Sequence, residues 1–250
     1  MKILPRLAAS AAILYAQAPT VPAPAKIPFT CTPEDVETFG LTCSPEEPCA
    51  VFLELSAVDS LGGRMFVTGN LHTGTTTLFS VLLASEDGGK SWTEPVPRIR
   101  FGALEQIQFV DLEAGWIGGQ INQPLPRDPF LLLTTDGGKT WTARPLFDDS
   151  HFGSIQQFWF SSRTEGQLIV DRQQGGRTRY ELLESRTGGE SWDPKEIGDK
   201  PIALKKTRAP SEAVWRVRAD APSKTYHLER RTSDKWETVA TFAIRAGECQ

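Results

Sequence analysis

Short apolar runs separated by polar turns recur along most of this chain, a pattern typical of β-strands. In residues 107–119 (IQFVDLEAGWIGG) an apolar run is followed by a polar turn, a glycine and a second run, and residues 55–69 and 155–170 have the same layout. A third run then leads into a glycine-rich turn, and a fourth follows it. No segment shows the apolar period of a normal-length amphipathic helix.

The turn between the third and fourth runs contains a repeated motif, which we call the box. It reads SEDGGKSW at 85–92, TTDGGKTW at 134–141 and SRTGGESW at 185–192, and an eroded copy, TSDKW, lies at 232–236. The residues that define the boxes are Ser85, Asp87, Gly89, Trp92, Thr134, Asp136, Gly138, Trp141, Ser185, Gly189, Trp192 and Trp236.

Each residue type in the box suits a tight hairpin. The Asp and hydroxyl side chains accept bonds from backbone N–H groups of the turn, the glycines permit positive φ, and the Trp ring folds back onto the hairpin. A single active site has no use for the same acid in several equivalent turns, and Thr187 replaces the Asp in the third box. We therefore interpret the boxes as structural rather than catalytic.

The box recurs about every 50 residues, which is the length of one four-stranded propeller blade. The sequence therefore predicts an all-β fold, a β-propeller of about four four-stranded blades, over residues 50–249. We place the repeats at 50–100, 101–150, 151–200 and 201–249.

The N-terminus has the pattern of a signal peptide over residues 1–18. Lys2 and Arg6 precede an apolar stretch, and residues 16–18 form an A-x-A cleavage site. No other apolar stretch is long enough to span a membrane. We expect a secreted or periplasmic protein that is cleaved near Ala18, with a Cys- and Pro-rich segment at 19–49 before the repeats.

The four cysteines, Cys31, Cys43, Cys49 and Cys249, agree with export, because an even number favours disulfides in an oxidising compartment. Three pairings are possible. The fourth repeat ends with its own outer strand, so we expect no strand to be left over to complete the first blade. We favour Cys43–Cys49 as a local loop and Cys31–Cys249 as the bond that closes the ring.

Charge and motifs narrow the classes of function. The formal net charge of −4 argues against nucleic-acid binding. There is no C-x-x-C pair, phosphate loop, nucleophile elbow or His pair at metal-binding spacing. The compact polar cluster at 148–151 is interpreted as a solvated loop. We expect no cofactor and no bound metal.

The boxes resemble the Asp-box (BNR) repeats of sialidases. Residues 110–119 (VDLEAGWIGG), followed by a box, are similar to exported photosystem II assembly-factor-like propellers. The resemblance covers roughly residues 50–242 and implies Asp-box hairpins on the blade rim, away from the binding face. It does not transfer a photosystem role, because members with that role carry more blades and basic residues across several of them. Here only the last repeat is basic.

A sialidase-like enzyme would need three arginines, a Tyr–Glu pair and a general acid. The F-R-I-P motif is absent, Arg98 and Arg100 follow the first box, and the neighbours Tyr180 and Glu181 alternate between the faces of a strand. We therefore expect a non-catalytic protein-binding or assembly module. The alternative is a sialidase-like glycoside hydrolase or carbohydrate-binding protein.

Propeller loops on the face opposite the boxes are the candidate binding surface. Their mixed charges suit a polypeptide, so the expected partner is another protein or a glycan, with homo-oligomer formation possible. Phe130 and Phe152 lie near them and are candidate aromatic anchors, as is Trp159, for which we favour core packing. The charged candidates are Arg98, Arg100, Arg127, Asp128, Asp148, Asp149, His151, Arg172 and Arg177.

Overall fold

The computed structural model describes residues 23–174, 177–204, 206 and 214–250. The predicted signal peptide, residues 1–18, lies outside this part of the chain. The described elements are β1 (Phe29–Thr30), α1 (Pro33–Thr38), β2 (Cys49–Leu61), β3 (Arg64–His72), β4 (Thr77–Ser85), β5 (Gly102–Phe109), β6 (Gly115–Asn122), β7 (Pro126–Thr134), β8 (Thr142–Pro145), β9 (Gly153–Phe160), β10 (Gly166–Gln174), β11 (Arg177–Ser185), β12 (Asp193–Gly198), β13 (Trp215–Asp220), β14 (Thr225–Thr232), β15 (Lys235–Ala243) and β16 (Arg245–Cys249).

These strands form sheets that follow one another along the chain, and the predicted all-β propeller fold is confirmed. The first sheet has the order β1-β16-β2-β3-β4, the second β5-β6-β7-β8, the third β12-β11-β10-β9 and the fourth β13-β14-β15. The described strands therefore number five, four, four and three rather than four in every sheet. The fourth repeat begins at residue 201, and its first described residues, 201–204 and 206, form no strand; residues 205 and 207–213 lie outside the described part of the chain.

The chain ends are joined by a strand that sequence reasoning missed. After the outer strand β15, residues 245–249 form β16, which pairs antiparallel with β2. β1 pairs in parallel with β16, and Ala25 pairs in parallel with Phe242 of β15. The expectation that no strand is left over was wrong. β2 starts at Cys49, but its pairing with β3 starts only at Phe52. On its other edge, the first residues of β2 pair with β16.

Both favoured disulfides are present. Cys31 is bonded to Cys249, 218 residues later, with their Cα atoms 5.0 Å apart, and Cys43 is bonded to Cys49. Because Cys49 and Cys249 are directly opposite each other on β2 and β16, the two disulfides lie on neighbouring strands. The N-terminal segment is thereby attached to the last residues of the chain.

Apolar cores lie between successive sheets. Phe66 and Leu82 of the first sheet pack with Leu104, Ile117 and other residues of the second. A similar cluster joins the second and third sheets, and another joins the first sheet to the fourth and to the N-terminal segment. Aromatic rings fill these interfaces, and burial of this apolar surface is the main driving force for the arrangement.

The first box forms the hydrogen bonds expected of it. Ser85 Oγ donates to Asp87 Oδ1 at 2.8 Å and accepts from Gly89 N at 2.8 Å. Asp87 Oδ1 also accepts from the backbone N–H groups of Lys90 and Ser91, both at 2.9 Å. These bonds hold the pKa of Asp87 well below its usual range, the hydroxyl of Ser91 contributing most.

The other two full boxes repeat this turn. Asp136 Oδ1 accepts from the backbone N–H groups of Lys139 and Thr140, both at 3.0 Å. Bonds led by the Thr140 hydroxyl lower the pKa of Asp136 to about 2. In the third box the Thr187 hydroxyl accepts from Ser191 N at 2.9 Å, so a neutral oxygen replaces the carboxylate.

Each full box also contacts the preceding sheet. A Cβ on Gly138 would lie 2.6 Å from the Phe66 ring of the first sheet, so only glycine fits there. Gly189 faces Leu131 and Trp116 of the second sheet, and Trp116 Nε1 donates to the Gly188 carbonyl at 2.8 Å. Gly89 faces Val239 of the fourth sheet. The boxes therefore join neighbouring sheets as well as closing their own hairpins.

We expect replacement of both Cys31 and Cys249 by Ala to lower the free energy of unfolding by about 5 kcal/mol, because this bond closes a loop of more than 200 residues. The matched pair Cys43→Ala and Cys49→Ala should cost only about 2 kcal/mol, since its loop is short. Urea unfolding of the oxidised proteins measures both. Equal losses for the two pairs would contradict the closing role.

The lowered pKa of Asp136 makes the second box sensitive to acid. A carboxyl group with a depressed pKa in the folded state stabilises the fold above its unfolded pKa of about 3.9, and this contribution is lost as the pH falls through the folded value. Wild type should therefore lose more stability between about pH 5 and pH 2 than Asp136→Asn. Urea unfolding of both proteins across this pH range measures the difference. Thr187→Ala, which removes the neutral oxygen at the equivalent place in the third box, is the control, and its stability should differ from that of wild type by the same amount at every pH.

Candidate functional site

The strands β2, β5 and β9 belong to three successive sheets and lie next to one another. β5 contacts both β2 and β9. Each of these strands has a β-bulge at the same register position, and the bulged residues are Ser56, Glu105 and Gln156. Bulges redirect side chains and are frequent next to active sites. These strands thus carry polar side chains at matching positions.

A polar group, which we call the axial cluster, is centred on two of these bulges and consists of Glu54, Ser56, Asn70, Glu105 and Gln120. Asn70 Nδ2 donates to Glu54 Oε2 at 3.0 Å, and Gln120 Nε2 contacts Glu105 Oε1 at 3.5 Å. The Ser56 hydroxyl favours the ionised form of Glu105, so a residue of the first sheet acts on one of the second at this point. The cluster therefore combines two carboxyl groups, two amides and a hydroxyl.

The two carboxyl groups influence each other. Burial raises the pKa of Glu105 above its usual value, and the charge of Glu54 raises it further, while bonds from Ser56 and Gln120 oppose the shift. The pKa of Tyr226 is also raised, by burial and then by the charge of Glu54, so this phenol lies close to the cluster. Glu105 consequently keeps its proton to higher pH than an ordinary glutamate.

Two acceptors in the cluster lack hydrogen-bond partners. Asn70 and Gln120 are 3% and 6% exposed, and neither Asn70 Oδ1 nor Gln120 Oε1 has a partner in the described part of the protein. An unsatisfied buried polar group costs about 1–3 kcal/mol. Both oxygens are inaccessible to solvent in this conformation, so a ligand with hydroxyl or N–H donors would reach them only if neighbouring side chains moved; Glu54 is the exposed member of the cluster.

The described residues contain neither a cluster of metal ligands nor a membrane-spanning helix. No group of three or more His, Cys, Asp or Glu residues there is arranged to hold a metal ion. No helix within the described ranges is long and apolar enough to cross a membrane.

Several of the predicted binding residues make contacts within the fold. Arg98 pairs with Glu94 at 2.6 Å and donates to the Pro28 carbonyl, and Arg100 pairs with Glu34 of α1 at 2.8 Å. Both arginines thus lie against the N-terminal segment, which sequence reasoning had placed apart from the repeats.

Other predicted residues do come together. Asp128 accepts from the Arg127 guanidinium, the Ser150 hydroxyl and the backbone of His151 at 2.8–2.9 Å, and Arg127 also bonds to Ser150. The His151 ring contacts the Asp149 carbonyl. The exposed Phe152 lies under the Arg127 guanidinium. Two predicted loops therefore converge, with their polar groups directed largely toward one another.

The remaining residues of the predicted surface are spread along the third sheet and the loop that precedes it. Arg172 pairs with the buried Glu181 at 2.7 Å, whereas Arg177 is exposed at the start of β11 and Asp148 lies in an exposed loop. Phe130 and Trp159 are buried. The binding role of this surface stays a prediction.

Sequence reasoning missed the axial cluster, although the repeats contain a signal for it. Asn70 and Gln120 both follow a glycine near the end of the second strand of their sheets, and Asp171 occupies the equivalent pairing position in the third. Alignment of the second strands would have shown a polar residue at one position in each. The bulges that redirect Ser56 and Glu105 leave no comparable pattern in the sequence.

Comparisons with known proteins give a likeness of structure without a likeness of sequence. No protein-family model matches the sequence, and no curated protein matches it significantly. Among solved structures, the fold is similar to that of Penicillium chrysogenum alpha-L-arabinanase complexed with arabinobiose, at 13% sequence identity and a TM-score of 0.40. The match covers 79% of this chain and 62% of the arabinanase. The chain thus matches less than two thirds of that enzyme, and no activity follows from the likeness.

The raised pKa of Glu105 predicts a pH-dependent gain in stability on its substitution. A carboxyl group whose folded pKa is raised stabilises the fold at low pH, and this contribution is lost as the pH rises through the folded pKa. Glu105→Gln should therefore unfold at higher urea concentration than wild type at pH 7, and at the same concentration near pH 4.

Glu54→Gln is the matched variant, because removal of its charge should bring the pKa of Glu105 closer to the usual value. Side-chain carboxyl NMR titration measures that shift directly. An unfolding midpoint at pH 7 that is equal for wild type and Glu105→Gln would contradict the desolvation of Glu105.

Proposed function

We propose that the protein is an exported propeller that binds a glycan at the axial cluster. The observation that carries this proposal is the pair of buried amide oxygens, on Asn70 and Gln120, that lack donors beside the carboxyl groups of Glu54 and Glu105. Sugar hydroxyls donate and accept hydrogen bonds in closely spaced rows. A site that mixes unsatisfied acceptors, carboxyl groups and a hydroxyl matches that chemistry.

The charge of the site narrows the ligand class. The charge of Glu54 repels anions, which disfavours nucleic acids, phosphates and acidic sugars. The described arginines of the predicted binding surface do not compensate, since Arg172 pairs with Glu181 and Arg127 with Asp128. A sialidase needs three arginines around a carboxylate, and none of the five residues of the axial cluster is an arginine.

Glycoside hydrolysis is a second candidate function of the same site. A glycosidase needs one carboxyl group that stays protonated to act as an acid and a second that stays ionised. The raised pKa of Glu105 suits the acid, and the exposed Glu54 suits the carboxylate. Tyr226 beside Glu54 adds a group able to contact the same ligand.

Export and the Asp-box relationship belong to the same proposal. The two disulfides favour an oxidising compartment. The three full boxes share one pattern of hydrogen bonds, as related repeats would. The prediction that the loops around Asp128 bind another protein stays separate. The polar groups of these loops bond largely to one another, which leaves fewer of them free to contact a partner.

Calorimetry with a panel of neutral oligosaccharides tests the binding function. Gln120→Met keeps the length of the side chain and removes the amide, so we expect at least a tenfold loss of affinity. The fold should be no less stable, because a buried unsatisfied oxygen is removed. Glu165→Gln, on an exposed turn of the third sheet, is the control and should bind as wild type does.

Hydrolysis is tested on the oligosaccharides that bind. Glu105→Gln should still bind them and release no product, whereas Glu165→Gln should match wild type. Binding without product in wild type would leave a glycan-binding protein and exclude the hydrolase. If no neutral glycan binds to wild type, or if Gln120→Met binds unchanged, the axial cluster is not a glycan site.

A further inference from the structure

A second concave site lies between the N-terminal helix and the first two sheets. It has a volume of about 510 Å³ and is formed by the end of α1, the loop before β4, Phe101 and the turn between β6 and β7. We call it the helix cleft. The proposed function does not use it.

The helix cleft has a mixed lining of apolar and polar groups with one charged residue among those described. The Phe39 and Phe101 rings, with centroids 4.8 Å apart, supply an apolar wall. Threonine hydroxyls and the Gln123 amide supply polar groups, and Glu37 is its charged lining residue within the described chain. A ligand with an apolar face and several hydroxyls, and without a negative charge, fits this lining.

One lining residue has an unsatisfied acceptor. Asn122 Nδ2 donates to Thr77 Oγ1 at 3.3 Å, while Asn122 Oδ1 is buried and has no partner among the described groups. This is the same condition as that of Gln120 Oε1 in the axial cluster. Both oxygens are buried and lack a donor, a condition that destabilises the fold.

The helix cleft and the axial cluster are connected along one strand. Gln120 and Asn122 are two residues apart on β6, which corresponds to about 7 Å along the strand. Asn122 reaches Thr77 of the first sheet, and Glu105, the neighbour of Gln120, reaches Ser56 of that sheet. Unsatisfied amide oxygens therefore follow the junction of the first two sheets from its centre to the cleft.

We infer that the helix cleft is a second sugar subsite and that the ligand is a neutral oligosaccharide running from the axial cluster along β6 into the cleft. This inference rests on the proposed function and adds the length and charge of the ligand. The apolar wall packs against a sugar ring, and the threonine hydroxyls and the Asn122 side chain that line the cleft bond to its hydroxyls. Glu37 in the cleft and Glu54 of the cluster exclude acidic sugars.

Calorimetry with short and long members of one neutral oligosaccharide series tests the inference. In wild type the long chains should bind at least tenfold more tightly than the short ones. Asn122→Leu and Thr75→Val, the latter at an exposed position, should remove this gain and leave the affinity for short chains unchanged. Thr164→Val, on an exposed turn of the third sheet, should retain the gain. Gln120→Met should weaken both lengths equally.

The possible outcomes separate the two proposals. If wild type binds no neutral glycan of any length, the proposed function fails and the subsite with it. If short and long chains bind equally, or if both cleft variants keep the gain of long chains, the subsite is wrong and the axial site stands. Equal affinity for an acidic oligosaccharide of the same length, or binding of an uncharged peptide in the cleft in its place, would also overturn it.

Discussion

Close packing between successive sheets is the constraint on which the rest of this structure depends. The glycine of each full box lies against the preceding sheet, and at Gly138 a Cβ would lie 2.6 Å from the Phe66 ring. Trp116, whose ring stacks on Phe160 with centroids 3.7 Å apart, also donates to the carbonyl of Gly188. Because each box hairpin must fit closely against the neighbouring sheet, one sheet can neither rotate nor slide far relative to the next.

The axial cluster forms because neighbouring sheets are fixed in position relative to one another. Gln108 bonds to both the backbone N–H and the carbonyl of Phe160, at 2.8 and 2.9 Å, and Asp59 accepts from Phe109 N at 2.9 Å. These bonds hold β2, β5 and β9 in register, so their bulges come to the same level. Ser56 reaches Glu105 because the two strands cannot slide past each other.

The parts of the fold that depend on local chemistry could be predicted from the sequence. The boxes are specified by Asp, Gly and Trp within eight residues, and the disulfides by four cysteines at the two ends of the repeats. The closing strand β16 was missed because its five residues pair with β2, about 200 residues earlier in the chain, and no local pattern indicates such a distant partner. The cluster was missed for a similar reason, since Glu54 and Glu105 are distant in sequence and meet only through the packing of two sheets.

The position of Glu105 is informative because stability alone would not select it. The equivalent bulges of β2 and β9 carry Ser56 and Gln156, which are neutral and incur no cost of burying a charge. In the second sheet a carboxyl group occupies this position beside a second carboxyl group and two unsatisfied amides. Each of these features destabilises the fold, and all of them occur where a ligand could compensate them. Since unfavourable polar burial persists at functional sites, the junction of the first two sheets is a better candidate site than the loops, whose charges are largely paired.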